Sequence, residues 1–200
     1  MSGSTNTVRV QRRQNEARAQ ILAAAWEVVR SDGLAALSMR DLGARVGMKA
    51  QSLYSYFPSK HAIHDAMFRQ GYEEVLAAID TVDVAVDVAD ARAEAVRTAE
   101  IFFDFCTADS ARYQLLFQRS IPGFAPSPEA YAVAVAAYER TVGRLRRYGI
   151  ERQDHLDLWT ATMTGLVSQQ LANDPGGRRW RDLLEPAVVM LLDHTRKDPT

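Results

Sequence analysis

The chain of 200 residues contains a single cysteine, Cys106. One thiol excludes an internal disulfide and points to a reducing compartment. No apolar run approaches the roughly 20 residues that cross a bilayer, and no apolar segment follows the basic residues near the start. The expected location is therefore the cytoplasm, with no membrane partner. Alternating β-branched runs bounded by hairpin turns are missing. The exception is TVDVAVDV at 81–88, which is acidic and reads better as a loop and helix entry. Nucleophile elbows, phosphate loops and glycine-rich dinucleotide motifs are absent too, so neither an enzyme nor a cofactor is expected. His61, His64 and Asp65 share a helix face, yet no further His or Cys completes a metal site. They read as solvated or phosphate-proximal side chains.

What remains is helical periodicity. Ile21, Leu22, Ala25, Val28 and Val29 mark one face of a first helix, about 12–31, which Asp32 and Gly33 end. Ser38 with Asp41 three residues on starts a second helix, and Gly47 follows it. A third runs from about 49 to 56, and Pro58 stops it. Ser59 starts a fourth, which continues to about 80. Further helices are predicted at about 88–107, 110–119, 128–148, 152–173 and 179–195, with residues 1–10 and 197–200 as frayed ends. The fold class is all-α, with about nine helices. Residues 1–58 form an arm and a three-helix domain, and 59–200 form a larger helical domain.

Net charge is −1, but it is unevenly divided. Residues 1–60 hold nine basic and four acidic side chains, +5; residues 61–200 hold 15 and 21, −6. The positive charge thus accompanies SMRDLGARVGMKAQSLYSYF at 38–57, a short helix, a glycine-marked turn and a second short helix. That pattern is a helix-turn-helix, whose second helix enters a DNA major groove. Lys49, Gln51 and Ser52 stand at the exposed start of the third helix. Glutamine can bond adenine in two places, and lysine can bond guanine or a phosphate. Lys60, beside the N-terminus of the fourth helix, is placed for phosphate. Ser38 and Arg40 are further phosphate candidates, and Arg12 and Arg13 a basic arm. Ile21, Leu22, Ala25, Val29, Leu37, Leu42, Val46, Leu53 and Phe57 supply the core.

Residues 12–64, with a basic start, SDGLAALSMRDLGARVGM and then LYSYFPSKHAI, resemble the TetR family of bacterial transcriptional regulators. The string from Leu53 to Lys60 carries most of that resemblance. It implies that Tyr54 contacts phosphate and Tyr56 thymine, although many members hold another residue at the position of Tyr56. It also implies a dimer on an inverted-repeat operator and an effector cavity among the middle helices. Phe68, Phe102, Phe103, Cys106, Tyr113, Phe117, Phe124, Tyr131 and Tyr138 are the candidates for that cavity, which suits a small hydrophobic or amphipathic molecule. The last two helices are apolar over much of their circumference and need cover on both sides. Leu156, Trp159, Met163, Leu166, Leu184, Val188 and Leu191 are therefore the expected homodimer interface. Cys106, on an apolar face, is expected to be inert. The function expected is a homodimeric, ligand-released repressor; an ungated regulator or an activator is the alternative.

Overall fold

The computed structural model describes residues 3–81 and 91–197. Among these residues there are nine α-helices and no strand, as an all-α chain requires. They are α1 (Gly3–Asp32), α2 (Met39–Arg45), α3 (Ala50–Tyr54), α4 (Lys60–Asp80), α5 (Ala91–Ala108), α6 (Ser110–Phe117), α7 (Pro128–Arg147), α8 (Gln153–Asn173) and α9 (Leu184–Lys197). Most of the segment read as an acidic loop, 82–90, lies outside the described residues. One difference is large. α1 begins nine residues before the predicted start, so most of the supposed frayed end is helical.

Local chemistry sets the boundaries. The Ser38 hydroxyl accepts the Asp41 N–H at 3.1 Å and donates to the Asp41 carboxylate at 2.6 Å, which opens α2. Gly47, at φ +67°, takes the left-handed turn between α2 and α3 that a side chain would resist. α3 is shorter than predicted because its last turn tightens: Ser55 N–H donates to Ser52 C=O at 3.2 Å and Tyr56 N–H to Leu53 C=O at 3.0 Å. The Ser59 hydroxyl accepts the Ala62 N–H at 3.1 Å at the start of α4. Ser127 does the same for Ala130, at 3.2 Å, at the start of α7.

The chain forms two compact units, Met1–Gln70 with Gln114–Ala130, and Gly71–Tyr113 with Tyr131–Thr200. The first unit thus takes in the start of α4, past the 1–58 expected of the motif. Its interior holds Ile21, Ala25, Val29, Leu37, Leu42, Leu53, Phe57, Ile63 and Met67, while Leu22 and Val46 stay half-buried. Trp26 Nε1 donates to Gln70 Oε1 at 3.1 Å, joining α1 to α4.

In the second unit α5 packs on both α8 and α9. Phe103, Leu145, Trp159, Met163, Val167, Val188 and Leu192 are among its buried side chains. Polar links pin the helices. Tyr113 Oη lies 2.8 Å from Ser168 Oγ, and Arg181 grips Asp104 through two bonds of 3.0 Å. Buried Gln170 accepts the N–H groups of Trp180 and Arg181 at the turn before α9.

In the first unit, α2 closely approaches the entry to α3. Met48 N–H donates to Gly43 C=O at 2.8 Å, and a Cβ on Gly43 would lie 2.8 Å from Met48 C=O. Backbone cannot yield there as a flexible side chain could. Gly43→Ala is expected to cost about 1–3 kcal/mol, the usual scale of overpacking, seen as a lower thermal midpoint by circular dichroism. An unchanged midpoint would show that the two helices separate freely.

Candidate nucleic-acid interface

Alternate burial along α3 and the residues that flank it divides the side chains of 49–57 into two sets. Leu53 and Phe57 are fully buried, whereas Lys49, Gln51, Ser52 and Tyr54 are exposed, Tyr54 by 50%. Lys49 is the N-cap residue, so its side chain and the first free N–H groups of α3 stand at the same end. Tyr56 and Lys60 are half-buried, with Lys60 the first residue of α4. At the start of α2, Ser38 is half-buried and engaged with Asp41, and Arg40 is exposed. Arg12 and Arg13 are exposed on the early turns of α1. The helix-turn-helix therefore assembles as the motif implies, with an apolar underside and a polar outer edge.

Arg18 adds a residue that the sequence reading passed over. Its guanidinium donates to the Tyr56 carbonyl and lies 4.2 Å from the centre of the Phe57 ring. α1 is thereby tied to the chain just past the reading helix. A single arginine on a polar face gave no periodic signal to find it by.

The residues named for an effector cavity are divided between the units. Phe68, Phe117 and Phe124 belong to the first; Phe102, Phe103, Cys106, Tyr113, Tyr131 and Tyr138 belong to the second. Phe103, Cys106 and Tyr113 are buried and Phe102 is half-buried. Tyr131 and Tyr138 are instead exposed on α7, by 57% and 48%, which corrects their placement in an interior. Each belongs to the outward stripe Tyr131, Val135, Tyr138, spaced to recur on one helix face. Burial raises the Cys106 thiol to about 12, and no thiolate is available for redox chemistry at neutral pH.

The expected dimer face also needs correction. Leu156, Trp159, Met163, Leu184, Val188 and Leu191 are buried within the second unit, and Leu166 is half-buried. The contacts of α5 with both helices account for that burial, so these residues are core. The large exposed apolar side chains of this region are Leu158 on α8, Leu183 just before α9, and Met190 on α9, exposed by 62%.

Residues 21–67 match the sequence profile described as bacterial regulatory proteins, tetR family. The helix-turn-helix and the start of α4 lie inside the matched span. The chain is 28% identical over 126 residues to the HTH-type transcriptional activator FasR of Mycolicibacterium smegmatis. That alignment takes in 63% of this chain and 55% of FasR, so the match spans about half the length of that relative. In fold, the chain is similar to SCO4313, a protein assigned a regulatory role. The TM-score is 0.75 at 21% identity, over 92% of this chain and 98% of the other. It is also similar to the TetR family transcriptional regulator PfmR of Thermus thermophilus. There the TM-score is 0.62 at 20% identity, over 86% and 97%.

In the same unit lies a histidine that the sequence led us to expect in solvent or near phosphate. His64 is fully buried, and neither ring nitrogen makes a hydrogen bond. Its ring meets Phe124 edge-on at 5.8 Å, and exposed His61 lies 6.2 Å away. Phe124 also contacts His61 and Phe68, at 6.0 and 6.4 Å. Asp65, next along α4, is occupied: Ser127 donates to it from its N–H at 2.6 Å and its hydroxyl at 2.9 Å. Burial, then the positive charge of Lys60 and of His61, holds His64 down at about 4.

In the unfolded chain this imidazole takes a proton near pH 6.5, while the buried one resists until about 4. Stability is therefore complete above pH 6.5 and declines as pH falls from 6.5 towards 4, by on the order of 2–3 kcal/mol. Thermal melts of the wild type and His64→Leu across pH 4–7.5 test this. The variant should lose less of its midpoint on acidification, and parallel curves would refute the assignment.

Proposed function

We propose that this chain is a sequence-specific, DNA-binding transcriptional regulator that works as a homodimer on an inverted repeat. The observation that carries the reading is the division of residues 49–57, in and around α3, into buried Leu53 and Phe57 and exposed Lys49, Gln51, Ser52 and Tyr54. Major-groove readers need that arrangement: a helix held rigidly by its underside, with donors and acceptors free along its outer edge. On this reading Gln51 and Lys49 meet base edges or flanking phosphates. Ser38, Arg40, Ser52, Tyr54 and Lys60 hold the backbone, and Tyr56 packs at the groove wall. The positive balance of residues 1–60 supplies the sequence-independent attraction to phosphate.

One such module touches too few bases, so a second copy places another α3 about 34–36 Å away in the next major groove. Exposed Leu158, Leu183 and Met190 are the side chains for that self-association. Residues 59–200 then serve dimerisation and effector binding. A small hydrophobic or amphipathic molecule among the middle helices would release the operator by favouring a dimer with mis-spaced reading helices. The second reading, an activator, is favoured by one observation: the FasR relative is described as a transcriptional activator.

Footprinting on the DNA upstream of the gene should protect an inverted repeat. Absence of any protected repeat there or genome-wide would sink the reading. Gln51→Ala should change preference at one base pair by about 1–3 kcal/mol, while Tyr54→Ala and Lys60→Ala should weaken binding to all sequences alike. Anisotropy titrations against operator variants separate these outcomes. For the dimer, Met190→Glu should move the sedimentation coefficient towards that of the monomer without lowering the thermal midpoint of the fold; an unmoved coefficient would place self-association elsewhere.

A further inference from the structure

The least explained part of the molecule is the beginning of α1. The helix spans Gly3–Asp32, yet from Thr7 onward its first buried residue is Ile21, and the family match also starts at 21. From Thr7 to Gln20 every side chain is exposed apart from half-buried Ala17. At 1.5 Å per residue this leaves about 25 Å of helix ahead of the core. No acidic residue precedes Glu16, whereas Arg9, Arg12 and Arg13 fall within about a third of the circumference. The other side carries the amides of Gln11, Gln14 and Asn15, with Gln11 bonded to Asn15 at 3.4 Å. The ion pair of Arg12 with Glu16, at 3.5 Å, touches this basic face, and both partners are highly exposed.

Arg18 fixes where the extension begins. Its bond to the Tyr56 carbonyl and its seat on the Phe57 ring place the root of the extension at the end of the reading helix. An isolated helix of this length is marginal in water, and a row of like charges weakens it further. A polyanion alongside would relieve that repulsion.

We propose that residues 3–17 form a helical arm that binds the phosphate backbone flanking the bases read by α3, with Arg9, Arg12 and Arg13 as its contacts. The proposal rests on the DNA-binding reading and extends it to a second contact region in each protomer. Charge complementarity identifies the partner. A membrane surface fits less well, because the side opposite the arginines carries amides and the exposed apolar residues are confined to Val8 and Val10.

The test uses the full chain and its Arg9→Ala, Arg12→Ala, Arg13→Ala triple variant, titrated over a salt series. The probes are a duplex carrying the footprinted operator, a random duplex of equal length, and phosphatidylserine vesicles. Loss of three phosphate contacts should flatten the plot of log affinity against log salt by about 2.7 per protomer. Affinity at low salt should fall at least tenfold on both duplexes, with the operator-to-random ratio unchanged and a footprint shorter at its outer edges. An unaltered slope and footprint on an operator that is still bound would overturn the arm and leave the helix-turn-helix reading intact. Vesicle binding that the substitutions abolish while DNA binding is untouched would overturn it in favour of a membrane. A wild-type chain that binds neither duplex would remove the DNA-binding reading and the arm with it.

Discussion

A five-residue helix cannot hold its own shape in water, and α3, Ala50–Tyr54, is that short. Its conformation is borrowed from the side chains beneath it. Leu53 and Phe57 are sunk into the first unit, and α2 approaches so closely that Gly43 can carry no Cβ without displacing backbone. Everything proposed for the outer edge depends on this anchorage. A reader of base edges must hold its side chains to within a fraction of an ångström, and only packing from below can do that while leaving the upper surface polar. The same logic explains Arg18: it braces the chain immediately after α3 from the outside, through a carbonyl and a ring.

The second unit solves a different problem. Its long helices carry apolar residues on several sides, and polar bonds fix their register where packing alone would allow sliding. Tyr113 reaches Ser168 and Thr164 across from α6 to α8, and Arg112 joins Glu74 at 2.8 Å while its guanidinium lies 3.7 Å from the Phe105 ring centre. Thr98 and Tyr148, 3.3 Å apart, share an interior with buried Glu94 and Arg144. Such groups are costly to bury alone, and Tyr148 is bonded to both Thr98 and Glu94.

How much of this was legible in the sequence follows from the range of each signal. Ser38, Gly47, Pro58, Ser59 and Ser127 act on their own turn, so helix order and most boundaries could be read directly. The outer edge of α3 was legible for the same reason, since spacing alone separates Leu53 and Phe57 from Gln51, Ser52 and Tyr54. The arm was legible only by its charge, in Arg12 and Arg13; its helicity was not, because residues with no apolar period leave no hydrophobic trace. Long-range facts were hidden as well. α5 covers the faces of α8 and α9 that looked available to a second copy, turning Leu156, Trp159 and Val188 into core and leaving Leu158 and Met190 outside. His64 reads as polar in sequence, and only the arrival of Phe124 from sixty residues away makes its surroundings apolar.

The lone thiol has a use that its inertness creates. Cys106 is 1% exposed, and burial raises its ionisation to about 12, so an alkylating reagent meets almost no thiolate while the second unit is closed. Labelling proceeds through transient opening, and with one cysteine in the chain every modified molecule records one such event at one known place on α5. The protein therefore carries its own clock for breathing of the helical interior, readable by mass without any engineered probe. Anything that tightens that interior will slow it.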